Sequence, residues 1–116
     1  MISGLDLNAT VEYTLKSDTD NPTVWKLGII PSYLFARISA DAPTKEIQTA
    51  YRVLQIAIKG WENFNVPFTT EKEKLFDREI DCVPLSTLER LPLNVVTELA
   101  GKIMEINGLT AEEKKT

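Results

Sequence analysis

An α+β fold, an N-terminal β-hairpin followed by two main helices with short strand and helix segments between, is the expectation for this 116-residue chain. Three patterns carry it. Two runs near the N-terminus alternate apolar and polar residues, which marks strands buried on one face. Two later runs repeat apolar residues at steps of three and four, which marks amphipathic helices. Clusters of turn-forming residues separate these runs, and strands followed by helices point to an α+β arrangement.

The first run, Thr10–Lys16, places Val11, Tyr13 and Leu15 on one face and Thr10, Glu12, Thr14 and Lys16 on the other. Ser17–Pro22 (SDTDNP) is a dense turn signal. Thr23–Ile29 alternates again, with Trp25, Leu27 and Ile29 on one side, so the two runs read as a hairpin. Pro31 suits the first turn of a short helix over Pro31–Ala40, which Asp41–Pro43 breaks. From Thr44 onward, Ile47, Ala50, Tyr51, Leu54, Ile58 and Trp61 define one helical stripe. Lys45, Glu46, Gln48, Arg52, Gln55 and Lys59 fill the other side.

Gly60, Trp61 and Phe64 then mark a structural hinge. Gly60 falls in the last turns of that helix, where glycine costs about 1 kcal/mol relative to alanine. Pro67 commits the chain to an extended path over Asn65–Phe68. A turn capped by Thr69 or Thr70 carries Glu71–Leu75, and a strand over Arg78–Val83 puts Ile80 and Cys82 on one face. Ser86 to Glu89 has capping-box spacing for a short helix that stops before Pro92. Pro92 opens the last helix, in which Val96, Leu99, Ile103 and Ile106 form the apolar stripe. Asn94, Thr97, Glu98, Gly101, Lys102 and Glu105 face water, and Asn107-Gly108 stops the helix. Residues 1–109 are expected to form one globular domain and residues 110–116 a polar C-terminal tail.

Apolar residues make up 43% of the chain and charged residues 26%, which fits a packed domain. The net charge of −4 and the scattered Lys and Arg residues argue against nucleic acid as a partner, because phosphate binding needs a clustered positive field. No run approaches the roughly 20 apolar residues of a membrane span, so no membrane partner is expected. The N-terminal residues lack a basic stretch followed by an apolar run, so no signal peptide is expected. The Asn8-Ala9-Thr10 sequon then reads as chance. One cysteine, Cys82, rules out an internal disulfide and reads as a buried small hydrophobe.

Chemistry needs groups that this chain lacks. There is no histidine, so the commonest general base and neutral metal ligand are missing, and Cys82 has no histidine to activate it. The five glycines lie too far apart for a phosphate-cradling loop. Glu71, Glu73, Asp77, Glu79 and Asp81 offer hard-cation oxygens, but Lys72, Lys74 and Arg78 interleave with them and no calcium-loop spacing appears. A solvated charged segment is the reading of that run. No enzyme activity, cofactor or metal is expected. The aromatic groups Tyr33 with Phe35, and Trp61, Phe64 and Phe68, read as packing before ligand contact.

Three strings together resemble a known type: IKGWENF, PFTTEKEKLFDREID and LERLPLNVVTELAGKIMEINGLTAEEKK. They resemble small morphogenesis proteins of tailed phages and prophages, of the tail-assembly chaperone or head–tail assembly factor type. Pro22–Ile38 fits the same type. The resemblance implies a protein that binds and does no chemistry, in the host cytoplasm, with the long helical tape-measure protein as client. It also implies an exposed apolar groove, or a homo-oligomer presenting several. A structural virion component, such as a decoration or connector protein, is the alternative, followed by a small phage inhibitor of a host enzyme.

A groove for an amphipathic helix needs surplus apolar residues. Two regions have them. One is Pro31–Ile38, where Tyr33, Leu34, Phe35 and Ile38 exceed what one narrow buried face can take. The other is the last helix, where Leu93 and Met104 flank the main stripe together with Ala100. Burial of both surpluses within the fold or in a homo-oligomer is the rival expectation.

Overall fold

A computed structural model describes residues 4–41, 46–75 and 77–107, with the backbone alone for Asp41 and Glu46. Nine elements follow in order among them: β1 (Thr10–Tyr13), β2 (Val24–Gly28), α1 (Ser32–Asp41), α2 (Glu46–Ala57), β3 (Ile58–Glu62), β4 (Glu71–Leu75), β5 (Arg78–Cys82), α3 (Leu85–Leu88) and α4 (Leu93–Asn107). The α+β expectation and the N-terminal hairpin are both present. The expected helix start at Thr44, the Gly108 stop and the 110–116 tail lie outside the described residues.

The first sheet is antiparallel, in the order β1-β2-β3. β1 pairs Val11 with Leu27 and Tyr13 with Trp25, so these four side chains share the inner face. Trp25 and Leu27 are fully covered there, whereas Val11 is 43% exposed at the sheet's edge. Leu15, beyond the strand, returns to the core.

The long helix ends at Ala57, and this corrects the expectation that it runs through Trp61. Ile58–Glu62 is the strand β3, set against β2 with Trp61 opposite Trp25. Leu54, Ile58 and Trp61 are spaced for a helix face, yet Ile58 and Trp61 reach the core equally well from a strand, where β-branched and aromatic residues fit. Gly60 is therefore no helical hinge. It sits in β3 opposite Lys26, whose stem covers it. One extra residue, Lys59, bulges out of this strand, and its stem lies over Gly28.

The second sheet is the β4–β5 hairpin. Glu71–Leu75 is a strand and not the capped turn expected. Lys72 stands opposite Asp81 and Lys74 opposite Glu79, so four of the interleaved charges face each other as opposite-sign pairs on one face. The other face carries Leu75, Ile80 and Cys82, with Leu75 and Cys82 buried. Asp77 closes the turn at φ 72°, a left-handed conformation that aspartate tolerates.

The capping box does not form. α3 starts at Leu85 after Pro84, with no side-chain cap, so Ser86 lies inside the helix. α4 matches its expected stripe: Val96, Leu99 and Ile103 are fully buried and Ile106 is half-buried. Glu98, expected in water, is half-buried because it accepts hydrogen bonds from Tyr13 Oη at 2.7 Å and from the Lys16 N–H at 3.0 Å. Asn107 does more than stop the helix. Its Oδ1 accepts from the Ile30 N–H, and its Nδ2 donates to the carbonyls of Gly28 and Ile103. The end of α4 is thereby tied to the end of β2.

One hydrophobic cluster joins these parts, running from Leu15 through both long helices to Ile103. Gln55, expected on the polar side of α2, is buried within it. Its Nε2 donates to Val83 O and Glu73 Oε1, each at 3.1 Å, while its backbone carbonyl accepts from the Val83 N–H. Both sides of the C-terminal half of α2 are covered, one by α4 and the other by β5 and α3.

Candidate functional site

α2 and α4 pack side by side and leave a shallow apolar groove of about 270 Å³ between their outward shoulders. α2 contributes Ile47, Thr49, Ala50 and Val53. α4 contributes Thr97, Ala100, Gly101 and Met104. The helical spacing of both stripes produces this directly: residues three and four apart stack on one face, and small residues on it keep the groove open. Val53 is buried at the groove, and Met104 is half-buried against the core. Ile47 is 51% exposed, although it belongs to the apolar stripe of α2. A Cβ built on Gly101 meets nothing within 4 Å.

Beyond Thr97 and Gly101 the surface turns polar, with Tyr13, Lys16, Glu98, Lys102 and Glu105. The Lys102 ammonium lies 5.4 Å from the centre of the Tyr13 ring. Glu98 is held below the usual carboxylate pKa, first by the Lys16 N–H and then by the Tyr13 hydroxyl. Tyr13 is pushed up to about 12, chiefly because it donates to Glu98. These groups pin the end of β1 to α4.

The expected partner-binding residues do not meet on one surface. Leu34 and Ile38 are buried in the core, 2% and 1% exposed, so neither can meet a partner, and that expectation is corrected. α1 has a wider buried face than its length implied. Phe35 is half-buried against the same cluster. Tyr33 is exposed, with the Arg78 guanidinium 4.7 Å from its ring centre and Arg37 Nη1 donating to its hydroxyl. Leu93 is 55% exposed at the start of α4, away from the groove lining. Met104 alone of the six lines the groove. Ile47, Ala50 and Gly101 were missed as site residues. The available signal was an apolar stripe on α2 longer than a short helix can bury, beside a glycine in mid-helix.

Trp61 and Phe64 belong to packing. Trp61 stands edge-on to Trp25 at 5.6 Å, to Phe64 at 5.3 Å and to Phe68 at 4.9 Å between ring centres. Its Nε1–H donates to Val66 O at 2.7 Å, which folds the 63–68 segment back onto β3. Asn63, at φ 60°, turns the chain, and its Nδ2 donates to the carbonyls of Asn21 and Pro22.

A second cleft, of about 420 Å³, lies on the opposite side of α2, with Gln48, Arg52, Glu73 and Lys74 at its walls. Its charges are mixed, and Gln55 and Glu73 already bond to each other. Cys82 is buried, and burial pushes its thiol up to about 11, so it stays protonated. Among the described residues, no three Cys, Asp or Glu side chains come together as a metal site, and no helix is long and apolar enough to cross a membrane. In comparisons with protein-family models, curated proteins and solved structures, nothing matches the chain. The phage resemblance therefore rests on this chain's own residues.

Proposed function

We propose that this protein is a non-enzymatic binder of phage assembly, of the tail-assembly chaperone type, that takes an amphipathic helix of its client into the α2–α4 groove. The observation that carries this reading is Ile47. It continues the apolar stripe of α2 past the core and stands half-exposed at the rim of a groove with small residues on both walls. Helix-in-groove recognition needs such a strip, with room for client side chains between two helices. At about 270 Å³, the groove is smaller than the roughly 300–1,000 Å³ of small-molecule pockets. It suits a row of inserted side chains better than an enclosed ligand. Met104 adds a flexible, polarisable wall that adapts to different client residues. The tape-measure protein is the client implied by the resemblance, and the host cytoplasm is where it would be kept soluble before the tail assembles.

Co-expression with a tailed-phage tape-measure protein tests this. The wild-type chain should co-purify with it and keep it soluble. Gly101→Phe fills the groove from an open position and should lose the client while remaining folded. Phe35→Asp, away from the groove, serves as a comparison where it folds. Retention of the client by folded Gly101→Phe and Met104→Asp would contradict the groove assignment.

A further inference from the structure

The two edges of the three-stranded sheet are built differently. β3 is blunted: the Lys59 bulge distorts it, Glu62 adds a charge, and the 63–68 segment folds back over Trp61. Such features stop a strand edge from recruiting another strand. β1 carries one charge, Glu12, but among the described residues has neither a bulge nor a covering segment. Thr10, Val11 and Glu12 are exposed, no lysine, proline or bulge lies within Thr10–Tyr13, and among the described residues no strand pairs with its outer side. Leu5 and Leu7, just before it, are 61% and 47% exposed.

We propose that β1 is a homodimer interface, pairing antiparallel with β1 of a second copy about a two-fold axis that passes between the two Val11 residues. The geometry of a continuous sheet restricts the choice. Residues opposite each other must lie on the same face, so one residue must face its own copy across the axis. Centring on Glu12 sets two like charges opposite each other, which is destabilising. Centring on Thr10 needs Asn8 and Leu7 in the strand. Those residues are already committed to a turn, in which the Asn8 N–H donates to Asp6 Oδ1 and the Ala9 N–H to Asp6 O. Centring on Val11 places Val11 against Val11 of the second copy on the inner face, beside buried Leu27. Each Glu12 then faces a Thr10 hydroxyl, and the pairing needs only Thr10–Glu12 of each copy, all within β1.

A second copy fits this edge better than an unrelated strand because the register is self-complementary. The contact also closes on itself: the blunted β3 edges lie outermost in the six-stranded sheet, so pairing stops at two chains and builds no filament. The contact is short, so the dimer should depend on concentration. This inference does not rest on the α2–α4 groove, which lies on the helical side of the molecule.

Light scattering across concentration, with cysteine cross-linking, tests it. The mass should rise from 13.0 kDa toward twice that value, and Val11→Lys should stay at one chain while melting as a folded protein. Cβ atoms of directly opposed residues lie about 4.5–5.5 Å apart, close enough for a disulfide after small adjustment. Val11→Cys should therefore form a covalent dimer on mild oxidation. Glu12→Cys, opposite Thr10, should form far less. Buried Cys82 leaves the wild-type chain uncrosslinked, provided that thiols are blocked before denaturation. A wild-type chain that stays monomeric at its highest soluble concentration would overturn the proposal. So would equal cross-linking of the two cysteine variants, or β1 pairing with an extended segment of another protein in place of a second copy.

Discussion

Gly101 sits in the middle of α4 with open space where a side chain would begin. A glycine in a helix interior costs about 1 kcal/mol relative to alanine. Gly101→Ala should therefore raise stability by about 1 kcal/mol, read as a higher melting temperature; a lower one would show that the position is crowded. Trp61 is the opposite case. It touches three aromatic rings and holds Val66 O, so Trp61→Ala should destabilise the domain by about 3 kcal/mol in chemical denaturation. An unchanged midpoint would show that Trp61 does not carry the packing assigned to it. That Trp61 is packed was legible from its place in an apolar pattern. That it is packed from a strand was not, because its partner Trp25 lies 36 residues earlier, and only non-local pairing decides between the two geometries.

At the scale of elements, the junction between β1 and α4 carries a pH signature. Glu98 accepts from Lys16 and Tyr13, so its carboxylate form is favoured in the folded state. Its contribution is present at neutral pH and is lost as pH falls through its depressed folded pKa. Tyr13 is the mirror case. Its neutral form is favoured, with the pKa moved from 10.0 to about 12, so its contribution holds below 10.0 and is lost between 10.0 and about 12 as the unfolded phenol ionises first. In an absorbance titration of the folded protein, one tyrosine should ionise late, near pH 12, and Glu98→Gln should make that step earlier. A late step that persists in Glu98→Gln would assign it elsewhere.

The elements differ in how much their own residues reveal. β2 and α4 bury most of the residues their periodicity marks, because each lays one clear face on the core; past the end of β2, Ile30 and not Ile29 turns inward. α2 does not, since its C-terminal half is covered on both sides and Gln55 is drawn inside by the Val83 backbone. β4 was hidden because Glu71–Lys74 has no apolar alternation; it is a strand through its pairing with β5, which its own residues do not signal. The failed capping box shows that motif spacing yields to the path imposed by Pro84.

Over the whole molecule, one core holds two sheets and two long helices, and two of the outward-facing features carry the proposals. One is the unblunted β1 edge, the other the α2–α4 groove. Of the groove, only Met104 and, beside it, Ala100 were legible. Its other walls are small residues, which a pattern reading treats as filler, and Ile47, which it assigns to the core. Leu34 and Ile38 erred the other way, because how many sides of a short helix are covered depends on elements far away in the chain.

The central claim is that the α2–α4 groove receives a helical client, and methyl NMR reads it most directly. With the methyl groups of Ile47, Ala50, Val53, Ala100 and Met104 assigned, a tape-measure segment is added to the folded protein. The account predicts that these resonances shift together and saturably, and that Gly101→Phe abolishes the shifts. Saturable shifts confined to residues near Tyr33, Leu93 or β1, with the groove methyls unmoved, would contradict it.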